Sequence, residues 1–456
     1  MVVAVASAPD PILAMPPRPA RPLSTLQLLR VGLTNTLAAC DEELFDELFV
    51  ERHFLGQRAF VINDPDGVRR VLQDNYDNYP RLEQSRRVFR FGAGTGMLCA
   101  EGDPWRRHRR LINPTLDYRA VQVDVPALVG FAEEVVRLLS GVPSGEEIDI
   151  GKAAAQFMSA ATSYLFAGSD RRIEPMVQTM AKYPGKFSLF DVLPVPASLG
   201  FLAKLLGGRK EAQQFDPLLR ELIADRRRAD YAGGQDLLWR LAQAQDRVTG
   251  EGLTDAELCD EVLTLANTAV TPLRVLSWVW YLLALHPAAE RRLHDELDGV
   301  LGGQAPDFDD FPKLPYLRQV IDETMRLYPP LPVMMRTVAE NDEVCGRTIP
   351  RHSIVTIAPW LIHRHRKLWH EPDRFDPGRF SPENTRGRSR YVYIPFSIGP
   401  HICTGAPLSI VQMMIAVAIW AQHFRFHLVP GHPIEPVGWT SLRPGRGIKV
   451  TVEARR

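Results

Sequence analysis

This 456-residue chain has no net charge, because its 54 basic and 54 acidic side chains cancel. Without an overall field, nothing in the composition attracts nucleic acid or an anionic membrane surface. Cysteine is also scarce, and its five positions are widely spaced, odd in number and free of any Cys-x-x-Cys pair: Cys40, Cys99, Cys259, Cys345 and Cys403. This pattern argues against a disulfide framework and a zinc site, and it favours a reducing compartment.

A long apolar run is missing from residues 1–22, which are rich in alanine and proline. The segment therefore does not match a signal peptide or a membrane anchor. We expect residues 1–25 to form a flexible arm and residues 26–456 to fold as one domain. The sequence has no internal repeat and no low-complexity block, and its 45% hydrophobic content is enough for a core that encloses a cofactor.

The hydrophobic pattern predicts a mainly α-helical fold with small β-sheets. Helical periodicity dominates from Trp105 to Leu301. Thr254 and Glu257 form a capping box, which predicts a helix of about thirty residues that ends before His286. Short strands are predicted at 58–63, within 332–359 and at 448–452.

Residues Phe396–Gly405 surround Cys403 with an aromatic ring, glycines and a histidine, just before a long apolar helix. A buried thiolate needs hydrogen-bond donors, and Gly399 and Gly405 are expected to let backbone N–H groups approach it. The positive end of the following helix would also lower the thiol pKa. A lone cysteine is more often an inert core residue, but these neighbours favour a metal-bound thiolate.

This segment resembles the haem-binding loop of the cytochrome P450 family, in which such a cysteine is the axial iron ligand. The resemblance implies the helical P450 fold and a haem b cofactor, iron protoporphyrin IX, bound by Cys403. It also implies that Phe396, Gly399 and Gly405 contact the haem. Without an apolar anchor, the chain is similar to soluble bacterial members, and we expect a cytoplasmic location.

The haem propionates require cations nearby. Trp105 and Arg109 match the family's tryptophan and arginine, four residues apart on a helix at the haem edge. By the same resemblance, Arg336 is the second cation and His401 the third. The other arginines of this cluster, Arg106, Arg107 and Arg110, are interpreted as a solvated face.

Glu323 and Arg326 lie three residues apart on a helix predicted from Pro315 to Tyr328. Most such pairs face solvent and contribute a few tenths of a kcal/mol. The apolar neighbours of this pair favour burial instead. The resemblance then implies a third partner, Arg379, and a structural role for the network.

The central helix departs from the family pattern at Val270, which stands where relatives carry the acid of an acid–threonine pair. In those relatives the threonine orders water and the acid relays protons during oxygen activation. Thr271 keeps the hydroxyl, but Val270 cannot relay a proton.

Pro272 lacks an N–H, so it leaves the Thr268 carbonyl without its helical partner and predicts a kink or widening of the helix. A freed carbonyl can hold water. Asn267 is a candidate substitute polar group, although a locally hydrogen-bonded side chain is an equally good interpretation. The predicted catalytic set is Thr271, Asn267 and Thr268.

The substrate pocket is predicted to be apolar, with Met97, Val270, Val333 and Met334 in its wall. Met97 ends a glycine-rich loop, and its glycines imply mobility. Met and Val are as often plain core residues, which is the alternative interpretation.

The resemblance implies a monooxygenase that inserts one oxygen atom from O₂ into an apolar small molecule. Because the chain ends at Arg456 soon after the haem domain, we expect electrons from a separate ferredoxin or flavodoxin-like donor with its reductase. The first alternative, suggested by Val270, is a haem-thiolate enzyme that uses peroxide or catalyses an isomerisation or dehydration. The second is a non-catalytic haem sensor or carrier, for which the sequence offers no output segment.

Overall fold

The computed structural model of the protein describes residues 11–32, 34–54, 56–182, 214–269, 271–438 and 441–455. Helices dominate these ranges, as predicted. The α-helices are Thr25–Gly32, Pro65–Arg69, Glu83–Ala93, Gly102–Ile112, Tyr118–Gln122, Val125–Ser140, Ile150–Ala167, Glu174–Lys182, Asp216–Arg227, Leu237–Gln243, Asp255–Thr268, Thr271–Leu285, Pro287–Leu301, Pro315–Leu327, Pro359–Ile362, Pro382–Thr385 and Ala406–His423.

The strands are short and form small sheets. They are β1 (Phe49–Phe54), β2 (Gln57–Ile62), β3 (Ile148–Asp149), β4 (Met334–Thr337), β5 (Asp342–Val344), β6 (Arg347–Ile349), β7 (Ile354–Ile357), β8 (Phe424–Leu428), β9 (Pro436–Gly438), β10 (Leu442–Pro444) and β11 (Lys449–Ala454). One sheet has the order β1-β2-β7-β4, another has the order β3-β11-β8, and two hairpins pair β5 with β6 and β9 with β10. β2 and β7 are parallel, and the other pairings are antiparallel.

The predicted central helix is present as two consecutive helices, Asp255–Thr268 and Thr271–Leu285. The predicted capping box opens the first: the Thr254 hydroxyl accepts from the Glu257 N–H, and the Glu257 carboxylate accepts from the Thr254 N–H. Pro272 lies in the first turn of the second helix, where its missing N–H leaves no helical hydrogen bond unmade. The interruption falls where Pro272 predicts one.

The helix Ala406–His423 crosses the centre of the main core and packs against Val125–Ser140. Trp420 is fully buried, and its indole N–H donates to the Ala132 carbonyl at 3.1 Å. Two stretches, Asp255–Leu285 and Ala406–His423, have the length and hydropathy of a membrane span, but 62% and 67% of their apolar windows are buried inside the protein. Core helices of folded domains share these properties, so the two stretches are weak evidence for a membrane protein.

The first described residues are packed, so the predicted flexible arm does not hold for residues 13–18. Leu13 is buried, the Ala14 N–H donates to the Tyr281 hydroxyl at 2.9 Å, and the Tyr328 hydroxyl donates to the Ala14 carbonyl at 3.0 Å. Arg18 pairs with Asp373 at 2.8 Å. These partners lie far along the chain, so the contacts could not be predicted from the local sequence. The extent of the single domain stays a prediction.

Candidate active site

A cavity of about 1210 Å³ lies between the cysteine loop and the central helices. It exceeds the roughly 300–1,000 Å³ of a usual small-molecule pocket, as expected if it holds a large cofactor and a second molecule. Its wall contains most of the site residues predicted from the sequence: Met97, Trp105, Arg109, Asn267, Thr271, Val333, Met334, Arg336, Phe396, His401, Cys403 and Gly405.

Cys403 lies just before the helix Ala406–His423, with its side chain exposed to the cavity. Its own N–H donates to the Phe396 carbonyl at 2.9 Å, which closes the loop. Burial raises the pKa of the Cys403 thiol, whereas the N–H groups of Gly405 and Ala406 and the charge of Arg109 act in the opposite direction. The donors for a thiolate are therefore in place, and a bound metal ion would supply the charge that deprotonates it.

The two loop glycines differ in their roles. Gly405 provides one of the N–H donors to the thiol, as predicted. Gly399 does not act on Cys403. It has φ +74°, and a Cβ there would collide with the backbone carbonyl of Leu72, so glycine is required for backbone packing.

Three arginines converge at one edge of the cavity. Arg81 forms an isolated β-bridge with Arg336, and its guanidinium donates to His401 Nδ1 at 2.8 Å. Burial and the charge of Arg81 lower the pKa of Arg336 to about 10. Burial also lowers the pKa of Arg109, whose guanidinium donates to the Thr404 hydroxyl at 2.6 Å.

His401 lies at the same edge of the cavity, and its predicted role as a third cation for the propionates stays a prediction. Burial and the charges of Arg81, Arg336 and Arg109 lower the pKa of His401 to about 2. Because Arg81 donates to Nδ1, the neutral ring carries its proton on Nε2 and can donate it. The ring also packs against Trp105, with centroids 3.9 Å apart and the two ring planes tilted by 31°.

The central helices bring Asn267, Ala269 and Thr271 to the cavity wall. Thr268 is the last residue of the first central helix. Val270 lies outside the described residues, so its predicted place in the substrate pocket is not tested. The break between the helices thus lies at the cavity, beside the predicted catalytic residues.

Val333 and Met334 line the cavity as predicted, and Met334 is also part of a buried core cluster. Met97 lines it too, but the segment before it is not free. The Thr95 N–H donates to Asp260 at 2.8 Å, and the Met97 N–H donates to Glu261 at 2.6 Å.

The glycines of this segment allow it to approach the first central helix closely, which corrects the predicted mobility. Any Cβ on Gly94 or Gly96 would collide with Asp260 or Thr264.

Glu323, Arg326 and Arg379 lie in contact, away from the cavity. Glu323 and Arg326 are fully buried and joined by two hydrogen bonds, at 2.6 and 2.8 Å. Arg379 Nε lies 3.4 Å from Glu323, whose carboxylate also accepts from the Asp376 N–H at 2.9 Å. Arg326 donates further to three backbone carbonyls, those of His363, Pro372 and Arg374. Their structural role stays a prediction.

Two features of the site have no signal in the sequence. Arg81 is one, because its partner His401 lies 320 residues away. The other is a buried pair beside the cavity, in which His108 Nδ1 lies 2.5 Å from Glu261. His108 lies between Arg107 and Arg109 in the basic cluster, and no role was predicted for it. Burial opposes its positive charge, but Glu261 and Glu257 overcome this and raise the pKa of His108.

The residues at the cavity fit a haem. Among Arg81, Arg109 and Arg336, only Arg81 has a carboxylate partner in the described ranges. This partner is Glu101, 3.1 Å away. The excess positive charge suits two propionates. At the base of the same cavity, Cys403 offers a thiol with backbone donors, which suits an axial iron ligand.

The family model for cytochrome P450 matches residues 16–452, and the chain belongs to that family. It is 37% identical to cyclooctatin synthase of Streptomyces melanosporofaciens, over 86% of each chain. It is 31% identical to cyclooctat-9-en-7-ol 5-monooxygenase of the same organism, over 82% of this chain and 81% of the relative. The crystal structure of the cytochrome P450DA heme domain has the same fold, with a TM-score of 0.79, 19% identity and 98% coverage of each chain.

This protein is therefore a haem-thiolate monooxygenase, an oxidoreductase that acts on a small molecule with electrons from a separate redox partner.

Proposed function

We propose that this protein hydroxylates an apolar small molecule, using haem b held by Cys403 and a ferredoxin or flavodoxin-like electron donor. The observation that carries the proposal is that one large cavity has the thiol of Cys403 in its wall together with the hydroxyl of Thr271. Bound haem supplies the oxygen chemistry. The residues of the chain hold the cofactor, position the substrate and move protons.

The cofactor is held at two places. Cys403 would bind the iron, with Gly405 and Ala406 as donors to its sulfur. Arg81, Arg109 and Arg336 would hold the propionates, and His401 Nε2 is available to donate a hydrogen bond beside them. Trp105 supports the His401 ring through their packing contact.

Protons are delivered from the central helices. Thr271 Oγ1 donates a proton toward the reacting oxygen and is reprotonated by ordered water. Because the first central helix ends at Thr268, the Thr268 carbonyl has no acceptor role within that helix and can hold such water. Asn267, which lines the cavity, is a second polar anchor for it. Without an acid at Val270, we expect part of the reducing power to be lost as peroxide.

The substrate is expected to have a largely apolar body, because Met97, Val333 and Met334 contribute to the cavity wall. The name of one relative states oxidation of cyclooctat-9-en-7-ol, which supports a mainly hydrocarbon substrate here. A cytoplasmic location fits a protein that is reduced by a diffusible electron donor.

The Thr271→Ala variant tests this mechanism. With a substrate identified by its Soret shift and a surrogate ferredoxin system, we expect the parent protein to form product with some peroxide. Thr271→Ala should lose most of the product, about tenfold or more, because the proton donor is gone. Val270→Glu should form product at least as efficiently. Thr179→Ala, on the surface helix Glu174–Lys182, is the control and should be unchanged.

The rival function is a peroxide-using enzyme, which the valine at position 270 favours. In that case added peroxide should support fast turnover at the same rate in the parent protein and in Thr271→Ala. Dioxygen with the reduced partner should give almost no product. This result would contradict the oxygen-dependent mechanism and leave Cys403 and the fold unaffected.

A further inference from the structure

Arg274 lies three residues after Thr271 on the second central helix, and its side chain lines the same cavity. Its Nε is buried and has no hydrogen-bond partner among the described residues. The charged group that acts on it is another cation, Arg443. Burial and this like charge together lower the pKa of Arg274 to about 10.

Arg443 lies in β10, which packs against the second central helix and also borders the cavity. The neighbouring Arg446 is different, because it is 62% exposed and lies 3.5 Å from Glu435. Neither Arg274 nor Arg443 has an ion-pair partner in the ranges that the structure describes. The two arginines thus form a positive site, shared by a helix and a strand, that lacks an anion.

This site is distinct from the propionate site. Arg274 and Arg443 lie on the second central helix and on β10, whereas Arg109 and Arg336 lie on the helix Gly102–Ile112 and on β4. The described cavity wall contains one acidic side chain, Asp41, which lies 3.5 Å from Arg52. No residue of the wall is therefore left to neutralise the Arg274 and Arg443 pair.

Two like charges held together beside an apolar cavity destabilise the protein unless an anion binds between them. A guanidinium is planar, stays charged and presents paired donors that match the two oxygens of a carboxylate. This cavity calls for an anion between the two arginines and for an apolar body beside them. A carboxylate at one end of an apolar molecule would supply both.

We infer that Arg274 and Arg443 bind the carboxylate of an amphipathic substrate whose apolar body extends over the haem face of the cavity. The inference rests on the proposed function and refines it, because it replaces a purely apolar substrate with an apolar acid. The arginines position the substrate, and the reaction stays at the haem.

The test is a binding titration of the haem-loaded protein with matched probes: dodecanoate, hexadecanoate, 1-dodecanol, methyl dodecanoate and dodecyl phosphate. The Soret shift and isothermal calorimetry report binding independently of turnover. We expect each acid to bind about tenfold tighter than its alcohol or ester, because these lack the charge. Arg274→Met and Arg443→Met should each lose this preference and keep the affinity for 1-dodecanol.

Arg446→Met is the matched control and should keep the preference, since Arg446 is exposed and paired. Arg274→Lys should retain part of it, and the carbon monoxide spectrum of each variant verifies its fold. Equal binding of acid and alcohol, an equal loss of both in Arg274→Met, or no binding of any acid would overturn the inference. Tighter binding of dodecyl phosphate than of dodecanoate would also overturn the carboxylate assignment.

The two proposals fail in different ways. If neutral probes bind and are oxidised with dioxygen, but the acids have no advantage, the inference is wrong and the proposed function stands. If the acids bind through Arg274 and no probe is oxidised with dioxygen, the proposed function is wrong and the anion site stands.

Discussion

Arg81 contacts His401 directly and bridges to Arg336, so it occupies the centre of the cation set at the haem edge. Since it also pairs with Glu101, it couples this set to the segment before the helix Gly102–Ile112. A propionate bound beside His401 and Arg336 would therefore contact Arg81 directly. Sequence comparison with the family motif does not single out this arginine.

Arg81→Met should weaken haem retention. We expect haem transfer to an apoprotein acceptor to be several-fold faster than for the parent protein, because one of three propionate cations is removed. Arg106→Met is the control on the same edge, since Arg106 is partly exposed and paired with Asp77 and Asp103. Equal transfer rates for Arg81→Met and the parent protein would argue against the propionate assignment.

His294 is buried with neither ring nitrogen hydrogen-bonded in the described structure. Burial, with the charges of Arg455 and Arg425, lowers the pKa of His294 from 6.5 to about 4. Protonation therefore favours the unfolded chain, so this residue reduces stability as the pH falls from 6.5 toward 4.

His294→Leu should remove this acid sensitivity. Urea unfolding at about pH 5 and about pH 7.5 should show a smaller loss of stability in the variant, by up to about 2 kcal/mol. His427→Leu, an exposed histidine on β8, is the control. The same pH dependence in His294→Leu and the parent protein would contradict the buried neutral state.

Residues whose chemistry requires a fixed spacing within one element could be predicted from the sequence. Cys403 with its following helix, and Trp105 with Arg109, lie within one short segment each. Arg81 and the Arg274–Arg443 pair could not, because each depends on contacts between elements far apart in the chain. The arginines that lower the pKa of His401 could not be predicted together either, since they come from three other segments.

At the scale of secondary structure, the helix Pro315–Leu327 is joined to the segment that precedes the cysteine loop by buried charge. Arg326 pairs with Glu323 and donates to the carbonyls of His363 and Pro372. The desolvation of these charges is offset by their hydrogen bonds, so removal of one partner leaves the other uncompensated.

Glu323→Ala should destabilise the folded protein by about 3–5 kcal/mol and give little soluble haem-loaded protein. The matched control is Glu174→Ala, which breaks another pair of charges three residues apart, that of Arg171 and Glu174, with Arg171 83% exposed. Expression, haem content and urea unfolding of the control should match the parent protein. Normal haem content in Glu323→Ala would contradict a folding role for the network.

Helices with clear local signals were predicted well. Thr254 and Glu257 predict the start of the first central helix, and Pro272 predicts that the helical run is interrupted near it. The strands of the sheet β3-β11-β8 were predicted only in part, around residues 448–452. β3 has only two residues, Ile148 and Asp149, and it forms by pairing with β11. Its own sequence contains no strand pattern, so it could not be predicted.

At the scale of the whole molecule, the cavity is the meeting point of segments spread along most of the chain. Its wall contains residues from the N-terminal region through β10, together with the cysteine loop. The sequence could predict that these motifs meet, because one haem must contact all of them. It could not predict the shape of the cavity or its second positive site, since these depend on how the helices pack.

The carbon monoxide spectrum of the reduced protein tests the central claim most directly. Thiolate ligation by Cys403 predicts a strongly red-shifted Soret band in the parent protein and its loss in Cys403→Ala. Cys345→Ala is the control, because Cys345 is an exposed cysteine that is absent from the described cavity wall, and it should keep the band. A red-shifted band that persists in Cys403→Ala would contradict the account.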